Sequence, residues 1–258
     1  EAELTARGVK QWTRSGVVAA RRGDIVDTNG RLLAQSVTSF ILTARPRDVK
    51  DASALAKVLA RELGLDEETI LKKLSGSKAA SVTLARQLSR EDADRLRAIR
   101  QNGNSPDAEA LIGITFDEDA SRWYPMGTLL AQTLGLCNVD GEGQSGLELQ
   151  YNDILSGTPG TYTAERGEQG FPIPGGVKEE TPAVNGQDIM VSLDIKLQDT
   201  VEQALAEGVK DLETEEGSSI VMDAATGEIY AACSLPYMNP ADMSSSQVGS
   251  ESVKAITQ

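Results

Sequence analysis

The middle of the chain is rich in glycine and proline, and this limits what the chain can fold into. Residues 141–186 contain ten glycines and four prolines, two residue types that interrupt helices and strands. We therefore predict that this stretch lacks long regular elements. It separates residues 1–185 from residues 186–258, with a boundary near Asn185-Gly186. Two domains also suit a chain of 258 residues, because domains usually have about 100 to 200.

The first part carries both helix and strand signals. Apolar spacing predicts a helix over residues 52–63 that ends at Gly64. Two more helices are predicted to begin after the capping residues Asp66 and Ser89. Two short strands are predicted over residues 82–84 and 111–116, and a loop over residues 101–108. Asn29-Gly30 predicts a hairpin with a two-residue corner, since both residues tolerate a positive φ.

The second part carries too few elements to form a core. Residues 189–193 form a predicted strand, Asp194 caps a predicted helix, and residues 219–222 and 228–233 form a predicted hairpin. We expect the helix to bury an unbroken apolar stripe made of Leu197, Val201, Leu205 and Val209. One strand, one helix and one hairpin cannot close a core. The predicted fold class is therefore α+β, with a mixed first domain and an incomplete second one.

Composition excludes several classes of function. The chain has no histidine, which excludes Ser-His-Asp triads, Cys-His pairs and imidazole metal sites. Its net charge of −14 makes nucleic acid a poor partner, because an acidic chain repels phosphates. Cys137 and Cys233 match neither a zinc spacing nor a CxxC redox motif. We predict that both are buried apolar residues, and we expect neither a metal nor a cofactor.

Charge is distributed unevenly along the chain. Residues 1–100 carry 19 basic and 13 acidic side chains, whereas residues 101–258 carry 6 basic and 26 acidic ones. A basic end can face an acidic partner or an anionic membrane surface. Solvated helix faces would produce the same pattern, and the residues alone leave both interpretations open.

Two short motifs look functional but lie in the wrong context. Ser75-Gly76-Ser77-Lys78 is the one SxxK of the chain, and a lysine in this motif activates the serine only when the serine begins a helix. This tetrad instead follows a predicted helix, so we interpret it as a turn. Residues 141–146 match GxGxxG, but no buried strand precedes them, as a dinucleotide site requires. The residues by themselves therefore show no active site.

Four segments together resemble the class B penicillin-binding proteins, the membrane-anchored enzymes that cross-link peptidoglycan. Residues 22–34 are similar to the family's RGxIxDRNGxxLA signature. Residues 122–127, Arg-Trp-Tyr-Pro-Met-Gly, are similar to its arginine and Tyr-Pro step, and residues 146–160 to a stretch that begins Gly-Leu-Glu. The fourth segment, residues 188–206 with 219–240, resembles the opening of the transpeptidase domain.

The resemblance implies an architecture. Residues 1–185 would be an elongated pedestal of the dimerisation type, and residues 186–258 the start of a transpeptidase domain with the serine β-lactamase-like fold. Thr28 stands where the family usually has arginine, which weakens one polar contact. The catalytic serine and lysine are expected beyond Gln258, so no catalytic residue is assigned. The residues carried over are architectural: Arg22, Gly23, Asp27, Asn29, Gly30, Arg122, Gly146 and Glu148.

The resemblance also implies a function for the whole protein. It would be a D,D-transpeptidase that acts on peptidoglycan stem peptides and is trapped by β-lactams. An anchor helix before Glu1 would hold it on the outer face of the bacterial plasma membrane, where cell-wall synthesis or division proteins are the expected partners. The alternative is a non-enzymatic scaffold, an interaction module of the same machinery.

One contact is predicted within the carried-over residues. We expect Glu148 to pair with Arg22 or Arg122, because an acidic side chain that is partly buried needs a basic partner. The alternative is a free carboxylate at the surface.

Overall fold

The computed structural model describes residues 13–75, 79–103, 105–166 and 172–238. The chain forms two compact units, one from residues 1–36 together with 122–258 and the other from residues 37–121. The chain enters the second unit along strand β3 (Leu32–Ala44) and leaves it along β5 (Ile114–Trp123). The predicted boundary near Asn185-Gly186 concerns a different division and stays a prediction. No helix in the described ranges is long and apolar enough to cross a membrane.

The first unit contains a three-stranded antiparallel sheet in the order β1-β6-β7. Its strands are β1 (Thr13–Val18), β6 (Gly160–Arg166) and β7 (Pro172–Thr181). Because β6 and β7 lie in the glycine-rich stretch, the prediction that this stretch lacks long elements was wrong. β7 begins at Pro172 and lies at the edge of the sheet, and proline is accepted at the first residue of a strand and in edge strands.

The hairpin predicted at Asn29-Gly30 exists, with a longer turn than expected. It joins β2 (Ile25–Val26) to β3. The Asp27 amide donates to the Arg31 carbonyl at 2.8 Å, so residues 28–30 form a three-residue loop. Of these three, only Gly30 has a positive φ, 77°. The two-residue corner was therefore wrong, and the loop is the kind in which a turn is followed by one left-handed glycine.

β2 also pairs in parallel with β8 (Ile189–Met190), which lies at the end of the order β3-β2-β8. The strand predicted over residues 189–193 is thus shorter than expected. Helix α8 (Ile195–Asp211) follows and packs against the antiparallel hairpin of β9 (Gly217–Met222) and β10 (Ile229–Leu235), which confirms the predicted helix and hairpin. Three short helices complete the unit: α5 (Ala131–Leu134), α6 (Gly146–Gln150) and α7 (Asn152–Leu155).

The apolar stripe of α8 is only half-buried, which corrects the expectation of a buried stripe. Leu197, Val201, Leu205 and Val209 are all partly exposed. The buried face of the helix instead carries Ile195, Gln198 and Glu202. Among the described residues α8 packs on a sheet of two strands, and a sheet that narrow does not cover a whole helix face.

The second unit packs helices on strands. Its helices are α1 (Ala52–Leu63), α2 (Glu67–Leu74), α3 (Arg90–Gln101) and α4 (Pro106–Ala110), and β4 (Val82–Leu88) pairs antiparallel with β3. Asp66 and Ser89 cap α2 and α3, and Gly64 ends α1 with a φ of 68°, as predicted. The core includes Leu42, Leu55, Leu59, Ile70, Leu96 and Leu111.

Two predictions in the second unit need correction. The predicted loop over residues 101–108 contains the start of α4, because Ser105 accepts from the Ala108 amide and Pro106 is favourable at the first helical position. The strand predicted over residues 111–116 begins only at Ile114 and continues to Trp123. The predicted loop was therefore too long, and the predicted strand began three residues too early, within the turn that follows α4.

Candidate functional site

A buried cluster of three charged side chains lies at the centre of the first unit. Glu148, on α6, is fully buried and accepts from Arg22 Nε at 2.7 Å through Oε2 and from Arg122 Nε at 2.7 Å through Oε1. The arginine side chains are 6% and 5% exposed. The predicted pairing of Glu148 is therefore confirmed, with both arginines rather than one. We call these three residues the ionic centre.

Besides the Glu148 carboxylate, Arg22 bonds several other groups of the surrounding chain. Its Nη1 donates to Asn152 Oδ1 at 2.8 Å and to the Gly141 carbonyl at 3.1 Å, and its Nη2 donates to the Glu148 carbonyl at 2.7 Å. A guanidinium has five donors in a fixed plane, so it can tie several segments together. Here it joins the chain before β2 to α6, α7 and the loop before them.

Arg122 is the next-to-last residue of β5. Its Nη1 donates to the Gly23 carbonyl at 2.7 Å, so it bonds the residue next to Arg22. Its Nη2 is buried and has no partner among the described residues. The ionic centre is therefore nearly, not completely, satisfied.

Glycine is required where the chain passes close to the ionic centre. A Cβ on Gly23 would lie 2.0 Å from the carbonyl oxygen of Gln187, and a Cβ on Gly146 would lie 2.6 Å from the amide nitrogen of Gly135. Gly146 also has a φ of 56°, a conformation that side chains disfavour. These two glycines of the sequence signatures allow backbone segments to touch.

Cys137 and Tyr124 complete the surroundings of Glu148. The Cys137 thiol donates to Glu148 Oε2 at 3.3 Å, and its amide donates to the Tyr124 hydroxyl at 3.2 Å. Burial, with the Glu148 charge, raises the pKa of Cys137 to about 12. Burial likewise raises the pKa of Tyr124. The expectation that Cys137 is a plain buried apolar residue was wrong, whereas Cys233 is buried as predicted.

A second group of signature residues lies at the start of α8. The fully buried Asp27 accepts from the Asn29 and Arg31 amides, each at 2.8 Å, and from the Ile195 amide at 3.4 Å. Asn29 Nδ2 donates to the Asp194 carboxylate at 3.0 Å. The β2–β3 turn therefore holds the first turn of α8, and Asp27 shares the capping of that helix with Asp194.

Two buried polar residues of α8 were not predicted. Gln198 clamps β10, because its Nε2 donates to the Ala232 carbonyl and its Oε1 accepts from the Ala232 amide, both at 2.9 Å. Glu202 accepts from Gln198 Nε2 at 2.8 Å and from the Leu130 amide at 3.1 Å. Burial raises the pKa of Glu202. Their four-residue spacing, which places them on one helix face, was the available signal.

The ionic centre has the chemistry of a structural cluster and not that of a catalytic site. The ionic centre has a carboxylate bound by two guanidiniums, which leaves no free base or nucleophile at this point. No group of potential metal ligands occurs among the described residues. Ser75, the serine of the SxxK tetrad, follows the last residue of α2, which is the opposite end from the one that its activation needs, and residues 76–78 lie outside the described ranges.

The two groups of signature residues agree with a comparison to known families. The family model of the penicillin-binding protein dimerisation domain matches residues 17–191, a range that contains the whole ionic centre. The chain belongs to the penicillin-binding proteins. The match confirms the resemblance and the mixed α and β class, and it ends at the strand that precedes α8.

Individual relatives of this penicillin-binding protein chain cover nearly all of it. It is 30% identical over 241 residues to a probable peptidoglycan D,D-transpeptidase, PenA, of Neisseria gonorrhoeae, covering 92% of this chain and 40% of that protein. It is 27% identical to a peptidoglycan synthetase structure from Bifidobacterium adolescentis, with a TM-score of 0.56 over 87% of this chain and 44% of that one. The chain thus spans less than half the length of these proteins.

A third comparison supports the fold alone. Penicillin-binding protein PBP2 of Helicobacter pylori, solved in complex with MreC, is 22% identical to this chain. The TM-score is 0.62, over 88% of this chain and 44% of that one.

Proposed function

We propose that the whole protein is a peptidoglycan D,D-transpeptidase and that this chain is its non-catalytic pedestal, joined to the start of the transpeptidase domain. In this proposal residues 1–185 are the pedestal and residues 186–258 begin the catalytic domain. The support is the match of the dimerisation domain together with similarity to PenA along 92% of the chain. The stem peptide and β-lactams would bind in the catalytic part. The protein would lie on the outer face of the plasma membrane, held there by an anchor outside this chain.

The observation that carries the proposal is the docking of the β2–β3 turn on α8. Asp27 and Asn29 bond the Ile195 amide and the Asp194 carboxylate. A pedestal has to fix the orientation of the domain that it carries, and these bonds fix the first turn of the first helix after the family match. The ionic centre also holds the chain just before β2, the strand that leads into this turn, since Arg122 bonds the carbonyl of Gly23.

The half-buried stripe of α8 supports the second half of the proposal. A helix in a finished domain buries its apolar face, whereas Leu205 and Val209 stay partly exposed. Further strands of the catalytic domain would cover this stripe. The remainder of the catalytic domain would also supply the serine that attacks the stem peptide and forms the acyl-enzyme.

The test is covalent labelling by a fluorescent penicillin, read by intact mass. The complete product of the gene should carry one adduct per molecule, and the 258-residue chain of 27.4 kDa should carry none. A complete product that folds and yet takes up no penicillin would contradict the transpeptidase proposal. An adduct on the 258-residue chain would contradict the assignment of this chain as non-catalytic.

A second candidate function is a scaffold that binds other proteins of cell-wall synthesis. It is favoured by the basic character of residues 1–100 and by the fold likeness to a penicillin-binding protein that was solved with a partner. The labelling experiment separates the candidates, because a pure scaffold forms no acyl-enzyme in any form of the protein.

A further inference from the structure

An apolar groove of about 690 Å³ opens on the first unit, beside β8. Its apolar lining includes Leu147, Tyr151 and Ile154 of the α6–α7 region together with Ile189, Val191 and Ile229. Tyr151 is 38% exposed and Ile154 45% exposed. The groove is separate from the ionic centre, and nothing in the proposed transpeptidase function makes use of it.

Among the described residues, the strand beside the groove has an unpaired edge. The Ile189 and Val191 amides donate to the Asp24 and Val26 carbonyls on β2, at 2.9 and 3.0 Å. Successive residues of a strand direct their N–H and C=O groups to opposite edges, so the backbone groups of Met190 point away from β2. The Met190 side chain is 68% exposed.

The edge is closed at one end, which limits the length of any added strand. The Asp194 amide donates to the Tyr230 carbonyl at 2.9 Å, and Ser192 Oγ donates to the Ile229 carbonyl at 2.7 Å. These bonds join the end of the β8 segment to the start of β10. In the described part of the chain, the open stretch of edge is therefore centred on Met190.

Charge around the groove favours one kind of occupant. Glu228 lines it, and no lysine or arginine of the described ranges does. All of its lining residues belong to residues 101–258, which carry 26 acidic and 6 basic side chains. A partner segment with a basic residue would approach this surface favourably, whereas an acidic one would be repelled.

We propose that the groove binds a short extended segment of a partner protein, which adds a strand to the free edge of β8. Its apolar side chains alternate with polar ones, so that every second side chain enters the groove, and at least one lysine or arginine faces Glu228. Strand addition to a sheet edge is an established mode of peptide recognition, in which backbone bonds supply affinity and side-chain pockets supply specificity.

The test starts from a library of random peptides about a dozen residues long, displayed on phage and selected on the complete product of the gene. Enriched peptides should share alternating apolar positions and a basic residue. Their affinities are then measured by fluorescence anisotropy. A groove that another part of the same protein already fills would yield no such peptides, and that result would overturn the proposal.

Three variants test the binding mode. Met190→Pro removes the outward N–H of β8 without touching its bonds to β2, and Ile154→Asp places a charge in the apolar wall; each should weaken binding at least tenfold. Glu228→Lys should weaken the binding of basic peptides by a similar factor. Leu149→Asp is the matched control, since Leu149 is 54% exposed but does not line the groove, and it should change nothing.

Two further results would overturn the proposal. Loss of binding in Ile154→Asp with full binding in Met190→Pro would mean that the occupant does not pair with β8. Peptides that bind all four variants equally would mean that they bind elsewhere. Circular dichroism of each variant shows that it is folded before its affinity is compared.

Discussion

Removal of the Glu148 carboxylate should strongly destabilise the first unit. The variant Glu148→Ala leaves two guanidiniums, 6% and 5% exposed, without their shared counter-charge. It deletes two charge-assisted hydrogen bonds of 2.7 Å, and bonds to charged groups contribute about 1.5–3 kcal/mol each. Loss of one partner from a buried ion pair costs about 3–5 kcal/mol. We therefore expect a loss of about 4 kcal/mol in the free energy of unfolding.

Urea unfolding combined with hydrogen exchange measures this effect. A loss of about 4 kcal/mol moves the urea midpoint by roughly 1.5 M, for a slope of about 2–3 kcal/mol/M. Faster exchange should appear in β2, the start of β3 and α6, while α1, α2 and α3 of the second unit serve as the internal reference.

Two comparisons make the experiment decisive. Glu142→Ala is the matched control, because this exposed carboxylate accepts from Asn138 Nδ2 at 3.0 Å, and it should cost less than about 0.5 kcal/mol. Replacing all three members of the ionic centre by methionine should recover only part of the loss. Apolar groups of similar size can replace a buried ion network, but the carbonyls of Gly23, Gly141 and Glu148 would lose their arginine donors. A cost below about 1 kcal/mol for Glu148→Ala would show that the two arginines do not depend on this carboxylate for their burial.

Three further predictions concern the backbone, a buried acid and the thiols. Gly23→Ala should cost more than about 3 kcal/mol in thermal unfolding, because its Cβ would lie 2.0 Å from a carbonyl oxygen, whereas Gly30→Ala, in open space at a φ of 77°, should cost about 1 kcal/mol. The raised pKa of Glu202, due mainly to burial, means that the folded state binds its proton more tightly than the unfolded state. Stability therefore falls as pH rises from the ordinary carboxyl pKa through the raised one, and urea titrations of Glu202→Gln should show a weaker fall; an unchanged pH profile would contradict this. Burial raises the pKa of Cys233 to about 11 and that of Cys137 to about 12, so a disulfide reagent at pH 8 should label Cys233 roughly 100-fold and Cys137 roughly 1000-fold more slowly in the folded than in the urea-unfolded chain, and equal rates would show that the thiols are exposed.

Local signals in the sequence predicted most of the individual elements. The caps at Asp66, Ser89 and Asp194 and the C-terminal glycine at Gly64 act within one turn of their own position, so the residues that decide them are neighbours in sequence. The β9–β10 hairpin is local for the same reason. Failures began where distant pairing decided the outcome: residues 160–166 and 172–181 form strands because β1 pairs with β6 from the other end of the chain.

The candidate site divides in the same way. The signatures identified Arg22, Arg122 and Glu148 as architectural residues, and the need of a buried acid for a cation predicted that they pair. The sequence by itself could not decide that one carboxylate binds both arginines, since Arg22 and Glu148 are 126 positions apart. It also gave no reason to place the Cys137 thiol on the same oxygen as Arg22.

The elements with local causes and the family membership could be read from residue patterns, because both depend on short stretches of the chain. The burial of Gln198 and Glu202 on α8, in place of its apolar stripe, depends on contacts that form only in the folded chain. Backbone groups of Ala232 and Leu130 lie against that face and need hydrogen-bond partners. The cost of burying a polar group depends on whether a hydrogen-bond partner lies opposite it, and only the assembled chain fixes that.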